Sequence, residues 1–194
     1  MAIQRGPVRK RCAYLGIEAA LLGYGGKPSK RAAPARSKPS AYALQLKEKQ
    51  KVKFVYGVME RQFRRNFEKA LRQGGSTGEN LLALMEKRLD NAVFRSGLAK
   101  TRAEARQLVS HRHVTVNGRR VSIPSQAVKP GDEIALRDDM AKTLENRDRS
   151  RARALPEWLS RDGESNSVKV LREPQRSDVD FDVREAMIVE LYSK

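Results

Sequence analysis

The spacing of apolar positions predicts helices in the first half of the chain and strands in the second. Met59, Phe63, Phe67, Ala70 and Leu71 recur at i, i+4, i+8, i+11 and i+12, one stripe of an amphipathic helix. Upstream, Ser40 is a good N-cap, and AYALQLKEKQKVKFVY runs on without Pro or Gly until Gly57, which predicts another helix. GGSTG at 74–78 is a break, with Thr77 read as the cap of a third helix. Its buried stripe of Leu81, Leu82, Met85, Leu89, Ala92 and Val93 extends to Ser96-Gly97. Thr101-Arg102-Ala103-Glu104 is a capping box, and it opens a short helix packed through Ala105, Leu108 and Val109. After His113 the period falls to two, with Val114, Val116, then Asn117-Gly118, then Val121 and Ile123. Asn-Gly between alternating apolar residues predicts a hairpin, because both central residues of the favoured turn need positive φ. Pro130-Gly131-Asp132 marks a second turn and Glu133-Ile134-Ala135-Leu136 a closing strand.

The flanks are less regular. Residues 139–155 read as a helix with Arg147, Arg149, Arg151 and Arg153 exposed, Trp158 as a packing anchor, and Val168-Lys169-Val170-Leu171 as a strand. Val183, Ala186, Met187, Ile188, Val189 and Leu191 suit a partly buried terminal helix. Residues 1–40 read as an extended basic arm, because GYGGKPSKRAAPARSKPS sets three prolines and three glycines among small and basic residues. Within the arm, RKRCAYLGIEAALLG can form a short helix through Ala13, Ile17, Ala20 and Leu21. The expected fold class is α+β: a basic helical domain with a small inserted two-helix and antiparallel-hairpin module.

Charge changes this picture from a plain mixed fold to a binding protein. Among 194 residues, 40 Lys+Arg face 23 Asp+Glu, a net charge of +17. Residues 1–72 hold 18 basic and 4 acidic side chains, whereas residues 141–194 hold 11 of each. A segment that repels itself this strongly is stabilised by a polyanion, and phosphate backbones release counterions on each contact. Anionic lipid is the competing partner, but a membrane-surface helix needs a wide, bulky apolar face that the first third mostly lacks. No apolar run is long enough to span a bilayer, and MAIQRGPVRKRC is not followed by an apolar stretch of signal-peptide type. A soluble intracellular protein is expected.

Catalytic and metal chemistry find no support. GYGGKPS fails the phosphate-loop pattern, since Leu21 stands in place of the first Gly and Pro28 in place of the hydroxyl residue. His111 and His113 are the only histidines, and the single cysteine, Cys12, lies far upstream, so no zinc-type spacing exists. Cys12 has no nominated base and reads as an incidental, semi-exposed thiol. Asp138-Asp139 and Asp178, Asp180 and Asp182 read as caps and turns rather than acid–base pairs. No enzyme, cofactor or small-molecule substrate is expected.

A binding surface remains. Arg61, Arg64, Arg65 and Arg72 lie off the apolar stripe, with only Glu60 and Glu68 to balance them. Arg102 and Arg106 are one helical turn apart beside a helix N-terminus, a setting suited to phosphate oxygens, and Arg95, Lys100, Arg112 and Arg119 lie on the same unit. Cations scattered over several faces and an arm suit a folded, branched RNA better than a straight duplex.

RLDNAVFRSGLAKTRAEARQLVSHRHVTVNGRRVSIPSQAVKPGDEI, positions 88–134, resembles the S-four RNA-binding module. That module is shared by ribosomal proteins, certain tRNA synthetases, pseudouridine synthases and stress proteins. SAYALQLKEKQKVKFVYGVMERQFRRNFEKAL (40–71), STGENLLALMEKRLDNAVFR (76–95) and IVELYSK (188–194) narrow the resemblance to the bacterial-type family of small-subunit ribosomal proteins S-four. The resemblance covers 40–194 well and 1–39 loosely. It implies a primary rRNA binder that docks on a multi-helix junction and nucleates assembly of the small-subunit body. It also implies contact with the neighbouring ribosomal protein S-five at an interface tied to translational accuracy, which accords with the neutral C-terminal segment.

The domains implied are a basic arm (1–39), a helical rRNA-binding domain (40–87) joined by the terminal helix (183–194), the module (88–150) and its extension (151–182). The RNA-binding residues then expected are Arg9, Lys10 and Arg11 in the arm. Lys47, Lys49, Lys51, Lys53, Arg61, Arg64, Arg65 and Arg72 belong to the helical domain. Arg95, Lys100, Arg102, Arg106, Arg112 and Arg119 belong to the module. Arg36 and Lys38 fall near the path of incoming mRNA in the family. Many relatives carry a four-cysteine zinc site in the arm; with Cys12 alone, the zinc-free subtype is implied, with the arm ordered by RNA and no metal.

Two other classes compete. An RNA-modifying enzyme using the module for targeting needs a further catalytic domain for which no room remains. A free-standing RNA chaperone acts off the ribosome, and co-sedimentation with small subunits separates it.

Overall fold

The computed structural model describes residues 7–25, 39–137, 140, 154–161 and 166–193. Arg36, Lys38 and most of the helix expected over 139–155, including its four arginines, lie outside the described residues. In chain order the helices are α1 (Val8–Leu15), α2 (Ala41–Val55), α3 (Glu60–Leu71), α4 (Thr77–Glu86), α5 (Leu89–Arg95), α6 (Arg102–Ser110) and α7 (Glu185–Tyr192), with a 3-10 turn at Ala19–Leu22. The strands are β1 (Val114–Val116), β2 (Arg119–Val121), β3 (Glu133–Leu136), β4 (Leu159–Ser160) and β5 (Ser167–Val170). The fold is α+β. The chain divides into two units, Met1–Leu82 with Val179–Lys194, and Ala83–Asp178.

The first unit is helical. The Ser40 hydroxyl accepts from the Ala43 N–H at 3.2 Å and so satisfies one orphan donor at the start of α2. The helix stops at Tyr56-Gly57, where Gly57 takes φ +61°. Along α3, Phe63, Phe67 and Ala70 are buried, and the Tyr192 ring of α7 stacks on Phe67 at 4.6 Å and Phe63 at 6.2 Å. The outer members of the expected stripe, Met59 and Leu71, stand at the two ends of α3 and are exposed. The terminal helix packs along α2 and buries Ile188 fully.

The arm departs from expectation between residues 7 and 25. Gly16 takes the left-handed conformation (φ +71°) and ends α1 one residue after Leu15. The helical register therefore does not run on to Ile17 and Ala20, and the buried face is Cys12, Leu15 and Leu22. Cys12, expected to be semi-exposed, is buried at 2% exposure. Burial raises its thiol pKa above the ordinary value, and a backbone hydrogen bond offsets this only in part.

The second unit is a five-stranded antiparallel sheet, ordered β2-β1-β3-β5-β4, with α5 and α6 sharing its core. Val114, Val116, Ile134, Leu136, Val168 and Val170 alternate inward and meet Leu89, Val93, Phe94, Leu108, Val109 and the fully buried Trp158. Asn117 (φ 51°) and Gly118 (φ 75°) form the expected hairpin turn. The Asn117 amide donates to Asp132 Oδ1 at 2.8 Å and its oxygen accepts from the Glu133 N–H at 2.9 Å, tying that turn to the one at Pro130-Gly131-Asp132. The strand expected at 168–171 joins the sheet as β5, paired with β3 in register Ile134↔Val168, and β4, not among the expected strands, pairs with β5.

One predicted helix is two. The stripe from Leu81 to Val93 is fully buried as expected, yet α4 ends at Glu86 and α5 begins at Leu89. Between them Arg88 is extended (φ −66°, ψ 137°) and bridges to Ala127. Its guanidinium grips Asp90, with Nε donating to Oδ1 at 3.0 Å and Nη2 to Oδ2 at 2.6 Å.

Candidate nucleic-acid interface

On α3 the same periodicity that buries Phe63 and Phe67 turns Arg61, Arg64 and Arg65 outward, and Arg72 caps the helix as an exposed residue. Arg64 forms an ion pair with Glu68 at 3.5 Å, with both side chains more than half exposed, a pairing of little energetic weight. Arg61, Arg65 and Arg72 have no ion pair among the described residues. The result is a row of guanidinium forks facing outward on a helix whose other side is anchored by aromatic packing.

The lysines of α2 are used differently. Lys49 Nζ and Lys53 Nζ donate to the two oxygens of Glu60, at 2.8 and 2.5 Å, and the Tyr192 hydroxyl donates to the same carboxylate at 2.7 Å. Burial alone would raise the Glu60 pKa, but these three donors outweigh it and bring it down to about 2. Burial and the facing carboxylate together push the Tyr192 phenol well up. Lys51 is buried, donating to Glu48 at 2.8 Å and to the Asp182 carbonyl at 3.2 Å. Lys51 and Lys53 were expected on an RNA face; each is at most 9% exposed and holds α2 to its neighbours. Lys47 is half-buried, with Nζ 5.9 Å from the Tyr14 ring centre.

Arg9, Lys10 and Arg11 are exposed on α1. Arg9 donates to the Gly25 carbonyl at 2.7 Å, and the Arg11 guanidinium lies 5.3 Å from the Phe54 ring centre. The exposed ring of Tyr14 stands among them, a residue that charge and periodicity do not single out although it closely follows the basic run.

In the second unit, the arginines expected to face phosphate divide. Arg95 is buried, with Nε 3.3 Å from Glu86 Oε2 and Nη2 donating to the Asp178 carbonyl. Arg102 is 8% exposed; its Nε donates to Asn91 Oδ1 at 3.1 Å and its guanidinium lies 4.3 Å from the Phe94 ring centre. Asn91 in turn donates to Glu86 Oε2 at 2.8 Å. The shared phosphate-facing turn expected of Arg102 and Arg106 is thus corrected for Arg102, which packs inward. The reason is that α5 supplies buried acceptors opposite it. Arg106 is partly exposed, 3.7 Å from Asp90 Oδ2. Thr101 caps α6 as expected, its hydroxyl accepting from the Glu104 N–H at 3.1 Å, while the Glu104 carboxylate accepts from the Lys100 N–H at 2.6 Å, one residue before the N-cap N–H that a full capping box engages.

Lys100, Arg112 and Arg119 are exposed, and so is Arg120, which was not among the expected contacts despite its place beside Arg119. Arg112 takes φ 62°, a left-handed conformation rarely adopted outside glycine, at the C-terminal end of α6. No helix among the described residues is long and apolar enough to cross a membrane, and no described group of three His, Cys, Asp or Glu is placed to hold a metal ion.

Two stretches of the chain match known protein families. Residues 24–86 match the family described as "Ribosomal protein S4/S9 N-terminal domain", and residues 87–134 match the "S4 domain". The chain is 48% identical over 197 residues to the small ribosomal subunit protein uS4 of Lachnospira eligens, covering all of both chains. It is 46% identical over 195 residues to that of Fusobacterium nucleatum, again end to end. It is 53% identical over 162 residues to that of Pelotomaculum thermopropionicum, covering 82% of this chain and 78% of the relative.

Proposed function

The chain belongs to the uS4 family of small ribosomal subunit proteins, a structural and non-enzymatic family, and from that premise we propose that it is a primary rRNA binder nucleating the body of that subunit. Its substrate class is a multi-helix junction of the small-subunit rRNA. The observation that carries this reading is the α3 face, where Arg61, Arg64, Arg65 and Arg72 point outward from an aromatically anchored helix. Guanidinium forks on a rigid support suit phosphates at irregular backbone geometry. In the second unit, Lys100, Arg112 and Arg119 are the exposed contributors and Arg106 a partly exposed one, whereas Arg95, Arg102, Lys51 and Lys53 serve by keeping the framework in shape. The neutral charge of residues 141–194 supports a protein neighbour there, and ribosomal protein S-five at an accuracy-related interface is the partner the family resemblance suggests. Arg36 and Lys38 are assigned to the path of incoming mRNA on the same ground.

The test is binding of the full chain to small-subunit rRNA over a salt series, followed by sedimentation with small subunits in high-salt sucrose gradients. A primary binder holds the naked rRNA, loses affinity steeply with salt, and stays with the subunit. A flat salt titration, or release from subunits at moderate salt, overturns the proposal.

A further inference from the structure

We propose that Tyr14 is a stacking platform for one unpaired nucleobase of the bound RNA. The inference deepens the rRNA-binding reading and rests on it. Four observations support it. First, Tyr14 is 63% exposed, the most exposed large hydrophobic residue among the described residues. Second, its support is firm: Cys12 and Leu15 are buried on the opposite side of α1, Gly16 closes the helix, and the Arg11 guanidinium lies over Phe54 of α2. Third, Lys10 precedes Tyr14 by four residues and so borders it on the same side of the helix, while Lys47 Nζ from α2 lies over one face of the ring, 5.9 Å from its centre. Fourth, α1 contains no acidic residue.

An apolar protein neighbour would be a poor occupant of a ring flanked by Lys10 and Lys47. A nucleotide satisfies both parts of the site, its base lying on the ring face that Lys47 does not cover and its flanking phosphates meeting Lys10 and Lys47. Every base has a π-face, so such a platform is sequence-tolerant, and bases in loops and bulges are the ones free to take it.

The experiment uses the full chain and in vitro transcribed small-subunit rRNA, comparing wild type with Tyr14→Ala, Tyr14→Phe and Tyr14→Leu across a KCl series. The ring is exposed, so all three variants should keep the wild-type circular dichroism. Stacking predicts that Tyr14→Ala weakens binding by roughly tenfold with an unchanged salt slope, that Tyr14→Phe binds like wild type, and that Tyr14→Leu falls with the alanine variant. A second readout is photocrosslinking of 4-thiouridine-substituted rRNA, which should place a crosslink in the peptide containing Tyr14. Wild-type affinity in Tyr14→Ala, or equal affinity in the leucine and phenylalanine variants, overturns the platform while the rRNA reading stands. Failure of the wild-type chain itself to bind the rRNA overturns both.

Discussion

The arginines of α3 and those of α5 and α6 are the same chemical group put to opposite uses. On α3 they lie on the far side of a helix whose packed face is Phe63, Phe67 and Ala70, and they meet solvent. Around α5 and α6 they lie opposite Glu86, Asp90 and Asn91, and these acceptors draw Arg95 and Arg102 into the interior. Side-chain periodicity separates the two cases only on α3. In the second unit the deciding fact is which acceptors a distant part of the chain supplies. A basic residue in an RNA-binding protein is therefore a contact or a scaffold according to what lies beneath it, and the two roles respond differently to substitution.

The largest expected effect is in the buried network. Glu86 is fully buried and faces Arg95 while accepting from Asn91. Removing one partner of a buried pair leaves the other charge uncompensated, so Glu86→Ala should destabilise the second unit by about 3–5 kcal/mol. Trp158, the only tryptophan and fully buried in that unit, reports unfolding by fluorescence in urea. A destabilisation below about 1 kcal/mol would show that the network is not a scaffold, and the contrast with α3 would collapse.

The α3 face should behave in the reverse way. Replacing Arg61, Arg64, Arg65 and Arg72 together by Ala should leave thermal stability nearly unchanged, because exposed charges outside any network carry little of it. Affinity for small-subunit rRNA should fall by roughly tenfold to a hundredfold, and the slope of log K against log salt should shrink by up to about 0.9 for each phosphate no longer neutralised. A quadruple variant with the wild-type slope would remove α3 from the interface.

How much of this could be read in the sequence follows the same physical divide. The inner positions of the α3 stripe (Phe63, Phe67 and Ala70), the N-cap at Thr101 and the Asn117-Gly118 turn are local patterns, each decided by residues within a few positions, and each forms as read. The break at Arg88 is marked by no Gly or Pro: Asp90 pairs with it from two residues away, but the bridge made by its extended backbone is to Ala127, far along the chain. The docking of α1 depends on Gly16 closing the helix, which moves the buried face from Ala13 and Ile17 to Cys12 and Leu15. The inward turn of Arg102 depends on Asn91, eleven residues away in sequence, and on the Phe94 ring. Periodicity shows which residues share a face, but not what that face meets.

A smaller effect tests the lysines of α2, which stand between the two extremes. Glu60 has its pKa lowered to about 2 by Lys49, Lys53 and Tyr192 against the opposing effect of burial. A carboxylate depressed in the folded state contributes stability that is complete above its unfolded value and lost as pH falls from about 5 through about 2. Because the Glu60 side chain is about half exposed, solvent screening cuts the contribution to about 1 kcal/mol. Glu60→Gln should therefore flatten the acid sensitivity of the first unit over that range, followed by near-ultraviolet circular dichroism of the Phe63, Phe67 and Tyr192 cluster. An unchanged acid profile would mean that the two lysines are not held by Glu60 and are free for RNA.

Arg112 allows the two roles to be separated at a single residue. At φ 62° it occupies the left-handed position after α6, where its N–H donates to the Val109 carbonyl at 3.0 Å and the following His113 N–H donates to the Leu108 carbonyl at 3.0 Å. Glycine adopts this conformation without the Cβ penalty, so Arg112→Gly should raise the stability of the second unit by a few tenths of a kcal/mol to about 1 kcal/mol. The guanidinium is exposed, and removing it should weaken rRNA binding by a few-fold and lower the salt slope by about 0.9, the share of one phosphate. Stability rising while affinity falls would mean that the strained backbone is retained for the charge it presents. Stability rising with affinity unchanged would place Arg112 outside the interface, and a drop in stability would show that its side chain belongs with Arg95 and Arg102 in the scaffold.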